Sequence, residues 1–403
     1  MNGVAYLLCS HVSSNQASPP SNTVSTSDTQ YMRRALQLAQ LGLYSTSPNP
    51  RVGCVLVKDG QVIGEGWHQK AGEPHAEIHA LNMAGENAKG ATAYVTLEPC
   101  SHFGRTPPCA EALVKAGVAR VVGACSDPNP SVAGRGYQRL REAGISVTVS
   151  CLKDEAEALN AGFMKRMRTG LPFVRIKLAQ SLDGRTAMAS GESQWITGQE
   201  ARQDVQKLRA RSCAVITGAD SVLTDNPSMT VRPAESDIEQ EARLWRQPLR
   251  VLVDGKRRIK EDAKVFAQAG DILIATVSKP CAEERLHRPD NTGQLDYWQS
   301  ESSSEFVDLT ALLEELGRRS CNEVLVESGA QLAGAFIQQG LVDELVLYCA
   351  PTLLGSEARP LAALPIHQMK DQIRWNWKDV TQIGNDMRLT LNPTPTLTDT
   401  GTR

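Results

Sequence analysis

Short apolar runs and helix-patterned segments take turns along most of this chain, and the pattern restarts once, after the stretch from Asn160 to Pro172. Such alternation leaves few architectures open. Strands buried on both faces need helices above and below them, so an α/β fold with two αβα layered domains is expected. The 403 residues are too many for one ordinary core and enough for two. The expected divisions are a flexible extension over residues 1–28, a first domain over 29–168, a second over 171–392 and a loose tail over 393–403.

In the first half the reading begins with a helix near Asp28, started by Ser27 and Gln30 at capping-box spacing. Strands follow at 52–57 and 62–66 around an Asp59-Gly60 hairpin turn, then at 91–97, 118–125 and 145–149. Helices start at His75 and Cys109, and a third spans 137–143. The second half offers strands at 173–178, 214–218, 250–254, 271–277, 323–327, 344–350 and 387–391, with a helix capped by Thr197 and Glu200. The basic cluster Lys165, Arg166 and Arg168 reads as the solvated face of a linker and is given no role.

A net charge of −2 supplies no general field for nucleic acid or a membrane surface, so a small-molecule substrate is favoured. There is no apolar run of about eighteen residues, the length a membrane helix needs. The first residues lack the basic start of a secretion signal, and a cytoplasmic location is expected. Ten scattered cysteines in so long a chain are expected as thiols, with one metal site as the exception.

That site is Pro74-His75-Ala76-Glu77 followed by Pro99-Cys100 and Cys109. One imidazole and two thiolates suit tetrahedral Zn²⁺ and leave its fourth position for water, the arrangement of catalytic zinc. Glu77 stands two residues beyond the first ligand, where a carboxylate can move protons beside the metal without binding it. This is the pattern of zinc deaminases, with Cys100 and Cys109 nine positions apart rather than the usual three. His79 and His102 are read as neighbours of the site rather than as ligands.

With the loop PCSHFGRTPPC, the segment from Ser47 to Gly53 and Asp127-Pro128-Asn129-Pro130 in view, the chain resembles the bifunctional riboflavin-biosynthesis deaminase/reductases of bacteria from about residue 29 to 392. The resemblance implies a cytidine-deaminase-like first domain acting on a phosphorylated pyrimidine. In it Asn49 holds the ring, and His68, Arg105, Asp127 and Asn129 surround the substrate and its phosphate. It also implies a dihydrofolate-reductase-like second domain that uses NADPH. There Ala179, Trp195, Ser221, Asp225 and the turn Gly329, Ala330, Gln331, Leu332, Ala333, Gly334, Ala335 would line the cofactor. Ser193, Arg209, Met229, Arg232 and Glu327 would face the substrate, Arg209 and Arg232 as phosphate holders, with Lys177 a further active-site residue. Gly255 stands where the family is expected to have serine, so no side-chain contact is carried over there.

The implied sequence is hydrolytic deamination followed by reduction of the ribose to ribityl. A rival reading is a nucleic-acid base deaminase with an RNA-binding C-terminal domain; it predicts a basic, aromatic-bearing surface, whereas aromatic residues are only 5% of the chain. A non-enzymatic metal or nucleotide sensor is the third reading, and it leaves Glu77 without a purpose. Oligomeric state, including a homo-oligomer, is left open by the sequence.

Overall fold

The computed structural model describes residues 23–101, 108–130, 132–238, 244–278, 281, 286–290, 292–301 and 305–394. The first half holds a five-stranded sheet of β1 (Gly53–Lys58), β2 (Gln61–Trp67), β3 (Thr92–Val95), β4 (Arg120–Gly123) and β5 (Ser146–Thr148), in the order β2-β1-β3-β4-β5. Asp59 and Gly60 both take positive φ, the two-residue turn that matches strand twist, and Lys58 pairs with Gln61 across it. From β3 to β5 the strands run parallel.

Alternation of side chains splits the first core into two layers. Cys54, Leu56, Ala93, Val95 and Val121 pack under α2 (Ala76–Ala84), α3 (Cys109–Ala116) and α4 (Arg135–Glu142). Val55, Val57, Tyr94 and Val122 face α1 (Thr26–Gln40), α5 (Lys153–Leu159) and α6 (Ala161–Thr169). The helix start differs from the sequence expectation: Ser25, not Ser27, caps α1, and the reciprocal partner is Asp28. Asp28 wins because it is also anchored elsewhere, accepting hydrogen bonds from Tyr94 and Arg120.

The second half builds a nine-stranded sheet from β6 (Phe173–Ser181), β8 (Ala214–Gly218), β9 (Leu249–Val253), β10 (Ile272–Thr276), β11 (Leu295–Gln299), β12 (Glu323–Glu327), β13 (Glu344–Ala350), β15 (Trp375–Ile383) and β16 (Asp386–Pro393). Their order is β11-β10-β9-β8-β12-β6-β13-β16-β15, and β7 (Arg185–Ala187) pairs separately with β14 (Arg359–Pro360). The run from β11 to β13 is parallel, and β16 and β15 close it antiparallel. Helices α9 (Leu309–Arg318) and α10 (Ala330–Gln338) cover one face. On the other lie α7 (Gln199–Arg211) and α8 (Ala219–Asp225). Gly198 rather than Thr197 occupies the N-cap of α7, with no side-chain cap bond.

The linker expectation is overturned. Residues 161–169 form α6, and its cations are engaged: Lys165 with Asp343, Arg166 with Asn322 and Arg168 with Glu157. Two of those partners belong to the second half, so the cluster joins the halves. No helix among the described residues is long and apolar enough to cross a membrane.

Candidate active site

The metal ligands come from two helix starts and a loop. Helix α2 lies flat on β2 because Gly64 and Gly66 lack side chains; a Cβ there would come within 2.3 and 2.4 Å of the Ala80 and Ala76 carbonyl oxygens. This seating fixes His75, the N-cap of α2, opposite Cys109, the first residue of α3. His75 Nδ1 lies 3.3 Å from Cys109 Sγ and 3.6 Å from Cys100 Sγ. Tetrahedral zinc with ordinary bond lengths sets sulfur and nitrogen ligands about 3.6 Å apart, so the donor set fits Zn²⁺ as it stands. Among the described residues no fourth ligand joins the three.

The electrostatics follow from this crowding. Cys100 is pulled down, first by the hydrogen bond from Cys109 and then, against burial, by His75 and the Cys109 amide. As the donor in that bond, Cys109 is pushed up. Glu77 is buried in the first turn of α2, and burial first, then the negative Cys100, raise its carboxyl to about 7.

A cavity of about 370 Å³ opens onto His75, Glu77 and Cys100 and is also lined by Asn49, His68, Asp127 and Asn129. His68 Nδ1 lies 3.2 Å from the Pro74 carbonyl, which can only accept, so Nδ1 carries the proton and Nε2 accepts from Asn49 Nδ2 at 3.0 Å. Burial lowers the His68 pKa, in keeping with that neutral ring. Held this way, Asn49 turns its amide nitrogen to His68 and not its amide oxygen. Asp127 and Asn129 ride on a loop gripped by Glu98, whose carboxylate accepts from the backbone N–H groups of Asp127, Gly134 and Gly136 at 3.2, 3.0 and 2.8 Å. Arg105 lies outside the described residues.

In the second half the carboxyl ends of β8, β12 and β6 stand side by side, the position where parallel sheets bind ligands. Lys177 is in register with Glu327 across β6 and β12. Arg209 grips Glu327 through Nε and Nη2 at 2.6 and 2.8 Å and donates Nη1 to the Thr230 carbonyl. Burial lowers the Lys177 pKa against the pull of Glu327. Nearby, Ser221 on α8 accepts from the Gly329 N–H at 3.0 Å, and Ser193 donates to Asp225 at 3.0 Å. Trp195 stands 69% exposed with the Arg202 guanidinium 4.5 Å above its ring.

Residues 25–125 match the model of the cytidine and deoxycytidylate deaminase zinc-binding region, and residues 172–389 match the RibD C-terminal domain. Over 374 residues the chain is 52% identical to the riboflavin biosynthesis protein RibD of Escherichia coli, covering 90% of this chain and 99% of that protein. The chain belongs to the RibD family. Among solved structures it is similar to RibD of Acinetobacter baumannii, with 50% identity, a TM-score of 0.84 and coverage of 92% of this chain and 99% of that one. A deaminase/reductase of Thermotoga maritima matches at 31% identity and a TM-score of 0.80, covering 91% and 99%. The match of the second half to the RibD C-terminal domain leaves the RNA-binding reading without support.

The structure gives the other residues carried over from the resemblance the following surroundings. Arg209 bonds Glu327, and Arg232 pairs with Glu235. Met229 is buried in an apolar cluster with Val215, Ala219 and Leu252. Along α10, Ala333 points into the core and Gly334 presses on the Ala363 carbonyl, while Gln331 is exposed. Ala179 sits on β6 opposite Tyr348. Sequence reasoning missed Glu98, Arg166 and Ser320, all on the cavity wall. For Glu98 the signal available was a carboxylate directly before the Pro99-Cys100 motif.

Proposed function

We propose that this chain is a bifunctional enzyme of riboflavin biosynthesis that works in the cytoplasm on a small phosphorylated pyrimidine. The first half hydrolytically deaminates a phosphoribosylamino-diaminopyrimidine, and the second reduces the ribose of the product to ribityl with NADPH. The observation that carries the first activity is the buried Glu77 carboxyl beside three donors spaced for zinc, two of which, His75 and Cys100, line the same cavity as Glu77. His75, Cys100 and Cys109 would hold the ion, whose chemistry there would be to make a water nucleophilic at neutral pH. Glu77 carries one proton of the attacking water to the ring nitrogen and then the second, released as the carbonyl forms, to the amine that leaves as ammonia. Asn49 orients the pyrimidine through its amide oxygen, and Asp127 and Asn129 meet the rest of the substrate.

In the second half the α10 N-terminus, where Gly329 bonds Ser221, receives a cofactor phosphate. NADPH supplies the hydride. Glu327, held by the Arg209 fork, and Lys177 face the sugar, and the desolvated Lys177 is placed to give a proton as the open imine is reduced. Ser193, Trp195 and Asp225 flank this site.

Product analysis of Glu77→Ala tests the reading. The variant keeps its zinc and its NADPH-dependent reduction of the deaminated intermediate but releases no ammonia from the diaminopyrimidine. Normal ammonia release would remove Glu77 from the mechanism.

A further inference from the structure

The cavity that opens onto His75, Glu77 and Cys100 is not built by the first half alone. Ser320, in the turn between α9 and β12, lines it together with Arg166 of α6. Arg166 Nε donates to Asn322 Oδ1 at 2.6 Å, and Asn322 Nδ2 donates to the Pro48 carbonyl at 2.8 Å. One buried amide from the second half thus fixes both the guanidinium and the turn that carries Asn49.

Among the described residues no carboxylate pairs with the guanidinium. Arg166 is half-buried, and the ionisable groups acting on it are the thiols of Cys213 and Cys321 rather than any carboxylate. Its Nη groups find no acceptor among the described residues, where Asn322 is the one hydrogen-bond partner of the side chain. It is the one permanent cation among the described cavity-lining residues. Ser320 adds a hydroxyl with no hydrogen bond among the described residues, displayed from a left-handed backbone at φ 65° that a side-chain-bearing residue adopts at a cost. A charged fork with an open edge, beside a spare hydroxyl, is what a phosphate completes.

We propose that Arg166 and Ser320 bind the phosphate of the deaminase substrate, so that the second half, through Ser320 and Asn322, completes the site of the first. The proposal rests on the deamination reading. Asn322 acts as a positioning residue, since it reaches the substrate only through Arg166 and Pro48.

The test measures ammonia release by the full chain from the phosphorylated diaminopyrimidine and from its dephosphorylated counterpart. Wild type is compared with Arg166→Ala, Arg166→Lys and Asn322→Ala, with Arg105 left in place throughout. Loss of charge-assisted bonds to phosphate raises KM for the phosphorylated substrate about tenfold to a hundredfold in Arg166→Ala. Its kcat and its KM for the dephosphorylated substrate stay within about twofold, Arg166→Lys recovers part of the loss, and Asn322→Ala shows a smaller rise. NADPH oxidation with the deaminated intermediate reports folding of each variant. If Arg166→Ala keeps the wild-type preference for phosphate, or loses both substrates equally while its reductase works normally, the proposal is overturned. If wild type itself releases no ammonia from either substrate, the deamination reading falls and takes the proposal with it.

Discussion

Replacing Glu323 by glutamine will loosen the seam between the two halves. Glu323 is buried and accepts from Arg51 at 2.6 Å, Arg175 at 3.2 Å and Arg211 at 3.0 Å, of which Arg51 comes from the first half. Arg175 also binds Glu344, which accepts from Lys378, so four cations share two carboxylates. The cations hold the Glu323 carboxyl well below the usual range despite its burial. Three charge-assisted bonds at about 1.5–3 kcal/mol each would total roughly 4–9 kcal/mol. Glutamine keeps a carbonyl acceptor, and the Arg211 side chain is 25% exposed to solvent that can take over part of its solvation. The expected loss is therefore about 3–5 kcal/mol, the range for breaking a buried ion pair from one side. Urea unfolding followed by far-ultraviolet circular dichroism measures it, and the two halves are expected to lose their common transition. A loss under about 1 kcal/mol would refute the claim that this carboxylate holds the arginines together.

Two further outcomes follow from single carboxylates. Asp28 is lowered to about 2: burial alone would raise it, but Arg120, the Ser25 amide and Tyr94 outweigh burial. A depressed carboxyl stabilises the fold above its unfolded pKa near 4 and loses that contribution as pH falls towards 2; the shift corresponds to about 2 kcal/mol. The stability gap between wild type and Asp28→Asn will accordingly shrink as the pH of urea titrations is lowered below about 4, and a gap independent of pH would contradict the assignment. Glu98→Ala strands the three amides of the Asp127–Gly136 loop and is expected to cost about 3 kcal/mol or more and to raise the deaminase KM with zinc content intact; unchanged stability and KM would show that the loop holds itself.

What could be read from the residues and what could not divides along physical lines. The metal triad was legible because zinc demands particular donor atoms at motif spacing, and Asp59-Gly60 because a two-residue hairpin demands positive φ at both positions. Helix α6 was not, since Gly162 and a run of cations imitate a linker. The glycine is there for a tertiary reason: a Cβ would lie 2.4 Å from Glu323 Cγ and 2.5 Å from the Asn322 carbonyl oxygen. The Arg209–Glu327 fork was not legible either, because nothing local in the sequence reveals a partner so distant along the chain. The same holds for Arg166, whose partner lies across the seam. Side-chain chemistry with a local signature is visible in a sequence; partnerships made by packing two domains together are not.

On the proposed reading two separate sites act in order, the first through the His75, Cys100 and Cys109 triad. Its most direct test follows ammonia and NADPH absorbance together in the full chain before and after a strong chelator removes metal. Chelation is expected to stop both signals with the diaminopyrimidine substrate, to leave NADPH consumption intact with the deaminated intermediate, and to be reversed by added Zn²⁺. Ammonia release that persists in metal-free protein would contradict it.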